Sequence, residues 1–168
     1  MTPVFQTIVD KDHGNCMQAA IASLFDLKLE DVPNFIELGD SWYSEMHYFV
    51  QTQGYKMEPQ IFNKGYSTLC TPTFDCFKKT TWHRPSIMTP RRLYKEPGVN
   101  GYFYAGVYSP NNFKLQDSIP YTHAVIIDRD YNIVHDPNPA YKDILGYPLR
   151  SLIGYNGVID VNIINPIS

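Results

Sequence analysis

Gly14-Asn15-Cys16-Met17-Gln18-Ala19-Ala20-Ile21-Ala22-Ser23-Leu24-Phe25 carries two signals at once, an amphipathic helix and a thiol at its first turn. Met17, Ala20, Ile21, Leu24 and Phe25 recur at three- and four-residue spacing. They share one face of a helix predicted over 16–25, with Asn15 as its N-cap. Ala19, Ala20 and Ala22 are small enough to let such a helix sit close against a sheet. Gly14 allows a tight turn into it and leaves the sulfur open. At a helix start the unpaired N–H groups and the dipole favour an anion, which pushes a thiol toward thiolate. A cytosolic cysteine is more often a small buried apolar residue, so Cys16 counts as a nucleophile only with partners.

The partners come from the far end of the chain. Thr122-His123-Ala124-Val125-Ile126-Ile127 opens a strand with a histidine, and Val134-His135-Asp136-Pro137-Asn138-Pro139 closes the next. A tight turn near Arg129-Asp130 makes the two an antiparallel hairpin. If Asp128 pairs with Tyr131, His123 falls opposite Asp136, with β-carbons about 4.5–5.5 Å apart. A carboxylate at that distance accepts a histidine N–H and fixes the tautomer. A slipped register would favour His135 or Asp128 instead.

Between these ends, a second amphipathic helix is expected over 41–53, burying Trp42, Met46, Phe49 and Val50 and ending at Gly54. A strand over 55–62 must be bent or at an edge because of Pro59. Further strands are expected over 102–108, 122–128, 131–136 and 157–164. Helices first and an antiparallel sheet after them make an α+β layout in one domain over 1–168. Residues 63–98, with four prolines from Pro72 to Pro97, read as a long structured connection.

Composition narrows the function classes. The 168 residues carry a formal net charge of −3 and no basic run longer than a pair, which argues against nucleic acid as main partner. No apolar run approaches the roughly 20 residues that span a bilayer, so no membrane role is expected. The N-terminus lacks a signal pattern, giving a cytoplasmic expectation. Three cysteines are an odd number and no disulfide framework; if Cys70 and Cys76 paired, Cys16 would stay free. A zinc site of Cys70, Cys76 and His83 has the wrong spacing and no evident fourth ligand, so no metal is expected.

With these residues assembled, the chain resembles the papain-like cysteine peptidase superfamily, in particular the compact bacteriocin-processing peptidases and small bacterial and phage relatives. The resemblance rests on Gly14-Asn15-Cys16 with Ala19-Ala20 and Ala22-Ser23-Leu24, on Val32-Pro33-Asn34-Phe35, on His123-Ala124-Val125 and on Asp136-Pro137. It implies a papain-like α+β fold, with N-terminal helices packed on a C-terminal antiparallel sheet. It also implies a triad in the superfamily's order: Cys16 as nucleophile, His123 as base, Asp136 as orienter. The expected chemistry is cleavage of a peptide or isopeptide amide through a thioester, without a cofactor, on a peptide or protein substrate. If the chain is phage-encoded, the expected location is the host cytoplasm.

The resemblance has departures. The family's oxyanion-hole glutamine sits nearer the cysteine than Gln6 does, and Asp10 occupies that place. Gln6 with the Cys16 backbone N–H is the expected donor pair. The 63–98 connection would lie beside the cleft, where Trp82 and Phe77, with Tyr66, Phe74 and Tyr94, would contact substrate. A cap over the sheet's back face is the competing reading of that stretch. Two other functions fit the same scaffold: a non-catalytic binding module, and a deamidase or acyltransferase using the same triad. Neither the substrate nor an oligomeric state is legible.

Overall fold

The computed structural model describes residues 1–9, 14–61, 66–67, 78–79, 90–108, 122–138, 149–153, 155 and 158–168. Helix α1 (Cys16–Leu24) is followed by short 3₁₀ turns at Leu29–Asp31 and Phe35–Ser41, and then by α2 (Trp42–Thr52). Strand β1 (Tyr55–Ile61), the ribbon of β2 (Tyr66–Ser67) and β3 (Lys78–Lys79), and a 3₁₀ turn at Pro90–Lys95 come next. Strands β4 (Phe103–Tyr108), β5 (Thr122–Ile127), β6 (Ile133–His135) and β7 (Val158–Pro166) complete the order. The main sheet has five strands in the order β1-β7-β4-β5-β6, every neighbouring pair antiparallel. The layout is α+β, with one correction to the expected division. The edge strand β1 comes from the first half of the chain, so the sheet is not wholly C-terminal. Among the described residues no helix is long and apolar enough to cross a membrane.

Strand alternation gives the sheet two buried faces. Tyr104, Ala124, Ile126 and Ile164 meet α1 and α2 through Ile21, Leu24, Tyr43, Met46 and Val50. Phe103, Ala105, Val125, Ile127 and Val161 form a second core with Leu93, Tyr131 and Leu152. Leu93 belongs to the Pro90–Lys95 turn, so this described part of the long connection covers the sheet's back face. Pro59 lies on β1 at the sheet edge, where its missing N–H costs least. On α2, Met46 and Val50 are buried as expected, whereas Trp42 and Phe49 are only partly so and Tyr43 takes the inward position.

Asn15 occupies the N-cap position of α1 but makes no side-chain cap bond. Its carboxamide faces the N-terminal segment instead. Oδ1 accepts the N–H groups of Thr7 (3.0 Å) and Ile8 (2.9 Å), and Nδ2 donates to Thr7 Oγ1 and Gln18 Oε1, both at 3.1 Å. Gln18 passes the connection on, donating to the carbonyls of Leu29 (2.9 Å) and Val32 (2.7 Å). The cap was forfeited because two otherwise unpaired backbone donors lie within reach of the same oxygen.

Candidate active site

The hairpin that brings the acid to the histidine does not have the expected register. Asp128 donates its backbone N–H to Asn132 O at 3.0 Å, so the turn encloses three residues rather than two. Its last residue, Tyr131, has φ of 63°, a conformation that costs a bulky side chain energy. Burial of the Tyr131 ring and the Leu152 N–H bond to its carbonyl (2.9 Å) hold it there. Ile127 then pairs with Ile133 but Ile126 with His135, leaving Val134 as a bulge. The longer turn shifts the register by one residue and the bulge by a second. Two shifts preserve side-chain parity, so Asp136 stays on the His123 side of the hairpin. The two are diagonal neighbours, not directly opposite.

That diagonal places Asp136 Oδ1 at 2.7 Å from His123 Nε2. The same oxygen accepts the Asn138 backbone N–H at 2.8 Å, so the turn after β6 orients the orienter. His123 is buried (4% exposed) on β5, against which α1 packs. Its side chain also hydrogen-bonds Cys16. With Nε2 committed to Asp136, Nδ1 is the nitrogen that serves the sulfur. Burial opposes a charged imidazole, but the Asp136 hydrogen bond and the hydrogen bond and negative charge of Cys16 outweigh it, raising the His123 pKa to about 9. Such a histidine remains an imidazolium at neutral pH.

Cys16, His123 and Asp136 are therefore joined as one hydrogen-bonded series. Cys16 is a free, buried thiol. Gln6 lies close to this group: its backbone N–H donates to Pro137 O at 3.1 Å, next to Asp136. Its carboxamide nitrogen, however, donates to Ile8 O (3.1 Å) within its own segment, and Oε1 is buried without a hydrogen bond. Asp10, Phe77, Trp82, Phe74, Cys70, Cys76 and His83 lie outside the described residues, as does the Tyr66 side chain. Tyr94 is exposed, and its hydroxyl donates to Asp130 on the hairpin turn.

No protein-family model, curated protein or solved structure matches this chain.

Several site-building residues escape a sequence reading. His135 resembles a catalytic alternative in sequence, yet it is structural. Its Nε2–H donates to Val4 O at 2.8 Å and its ring meets Phe5 edge-on, fastening the N-terminal segment to β6. Gln18, a polar residue two places after Cys16 in an apolar helix, was a visible hint. A second was the alternation in Val158-Ile159-Asp160-Val161-Asn162-Ile163. It reads as a half-exposed strand, but Asp160 and Asn162 are buried beneath the helices.

Proposed function

We propose that this chain is a papain-like thiol hydrolase that cleaves an amide, peptide or isopeptide, through a thioester on Cys16. The observation that carries the reading is the continuous series from the Cys16 thiol through the His123 imidazole to Asp136 Oδ1. Asp136 fixes the ring by accepting from Nε2 and stabilises the imidazolium. The Cys16 thiolate attacks the substrate carbonyl carbon, forming the S–C bond and moving the π electrons to oxygen. The uncapped start of α1, with the Cys16 N–H, supplies donors to the developing oxyanion in this reading. Collapse of the intermediate breaks the C–N bond, and the imidazolium Nδ1–H protonates the departing amine. The now neutral His123 takes a proton from water as the water attacks the thioester. This releases the acid and restores the thiolate–imidazolium pair.

One observation favours a second reading. The Gln6 carboxamide is turned to Ile8 O, which suits a binding module lacking a side-chain oxyanion donor. A deamidase or acyltransferase would share the acylation half-reaction and differ in leaving group or acceptor. p-Nitrophenyl acetate separates catalysis from binding. The hydrolase reading predicts a stoichiometric burst of nitrophenolate and an acetyl group on the Cys16 peptide by mass spectrometry, both lost in Cys16→Ala. Absence of a burst, or acetylation distributed equally over other residues, would support the binding module.

A further inference from the structure

Close to Cys16, on the helix-facing side of the sheet, lies a polar group that the triad does not use. Tyr104 and Asn162 are direct partners across β4 and β7, as are Gly106 and Asp160, so their inward positions adjoin. An ideal β-carbon on Gly106 would sit 2.7 Å from Asp160 Oδ1. The missing side chain therefore makes room for the carboxylate to lie across β4, where Oδ1 accepts the Gly106 N–H at 2.9 Å. Tyr43 joins from α2, and Tyr104 belongs to the same buried cluster as Cys16. Asp160, Asn162 and Tyr43 are each at most 4% exposed.

These groups are poorly satisfied. Among the described residues, neither atom of the Asn162 carboxamide makes a hydrogen bond of ordinary geometry, nor does the Tyr43 hydroxyl. Asn162 lies near enough to Asp160 to hold its pKa down in part, without reaching bonding geometry. Each such buried group is costly to leave unpaired, so a purely structural core would favour apolar residues here. Asp160 forms no ion pair with the described residues, and the imidazolium of His123 is committed to Asp136 and Cys16. The charge of Asp160 is felt at both tyrosines, and that of Cys16 at Tyr104. What is missing is a positively charged donor.

Resting on the reading of Cys16 as nucleophile, we propose that Tyr43, Tyr104, Asp160 and Asn162 form a subsite beside the thiol for a cationic substrate side chain. An arginine guanidinium or lysine ammonium would give its N–H groups to the Asp160 carboxylate and Asn162 Oδ1. The tyrosine hydroxyls and Asn162 Nδ2 would complete the hydrogen-bonding. Pairing with a cation offsets the burial of Asp160, which the free protein leaves uncompensated.

The test needs no turnover. Alkylation of Cys16 by iodoacetamide, followed on the Cys16 peptide by mass spectrometry, is measured with increasing n-butylguanidinium. Saturable slowing of at least fivefold is expected, with no effect from pentanol or pentanoate of similar size. Asp160→Asn, which keeps the acceptor for Gly106, should weaken the protection at least tenfold. Tyr43→Phe, the removal of one oxygen, should weaken it severalfold and decides the matter if the Asp160 variant misfolds. Absent protection, equal protection by pentanol, or unchanged protection in a folded variant overturns the subsite and would mark the cluster as a closed site for water. Protection without cleavage of any peptide would leave the subsite standing and remove the hydrolase. Cleavage without protection would do the reverse.

Discussion

At the scale of single residues, the proposed chemistry divides between an atom that forms a bond and one that holds a ring. In the proposed mechanism the Cys16 sulfur makes the covalent intermediate, so Cys16→Ala should abolish turnover. Asp136, whose Oδ1 touches His123 at 2.7 Å, would act only through that ring. Asp136→Ala should therefore lower kcat/KM by roughly 100-fold or more while leaving measurable activity. Steady-state rates on one ester substrate, with circular dichroism to show both variants folded, check the contrast. Equal loss in the two folded variants would mean that the carboxylate does more than orient. The three residues that the structure brings together were legible as candidates from Gly14-Asn15-Cys16, His123 and Asp136 because residue type and local pattern single them out. The role of Asn15 was not, because its side chain chooses between a cap and the Thr7 and Ile8 backbone only once the N-terminal segment is in place.

Elements are joined around the site by that N-terminal segment. Val4 accepts from His135 on β6 and donates its N–H to Ser23 Oγ on α1 at 2.8 Å, while Gln6 bonds to Pro137 and Thr7-Ile8 to Asn15. The strap thus ties α1, which carries Cys16, to the strand that leads into Asp136. Asn15→Ala removes two acceptances and two donations, leaving part-buried N–H groups unpaired. A loss of about 1–3 kcal/mol is expected from urea unfolding. Asn15→Asp, which keeps both acceptances, should recover much of it. No difference between Ala and Asp would show that the segment is held by its other bonds alone. The helix and strand spans are largely as periodicity predicts. The hairpin register is not, because a three-residue turn with Tyr131 at positive φ and a bulge at Val134 depend on tertiary burial rather than on local turn chemistry. The shared face of His123 and Asp136 survived only because the two shifts add to an even number.

Across the whole molecule, two buried groups tie stability to pH with the same sign. His123 has a pKa of about 9, above its ordinary 6.5, because the gains from Asp136 and Cys16 exceed the burial penalty. Burial raises Asp160 to about 6 from 3.8, against the Gly106 N–H and the nearby Asn162. In both windows the native state binds more protons than the unfolded one. Each contribution is therefore full below the unfolded value and lost as pH rises through the folded value. Melting temperature should fall between pH 6.5 and 9, and less steeply in Asp136→Asn. Another fall between pH 4 and 6 should flatten in Asp160→Asn. Calorimetry in matched ionic strength measures both, and slopes unchanged in the variants would contradict the assignments. This level was the least legible in sequence, since Asp160 and Asn162 alternate with apolar residues as a solvent-facing pattern would. Only the covering of that sheet face by α1 and α2 turns them inward.

The central claim, that Cys16 with His123 and Asp136 cleaves amide bonds, is tested most directly by incubating the protein with a proteome-derived peptide library and sequencing the new N-termini by mass spectrometry. The account predicts a set of new termini with the wild-type chain, absent with Cys16→Ala at equal concentration. No new termini from the folded wild-type chain, or the same set from the Cys16→Ala variant, would contradict it.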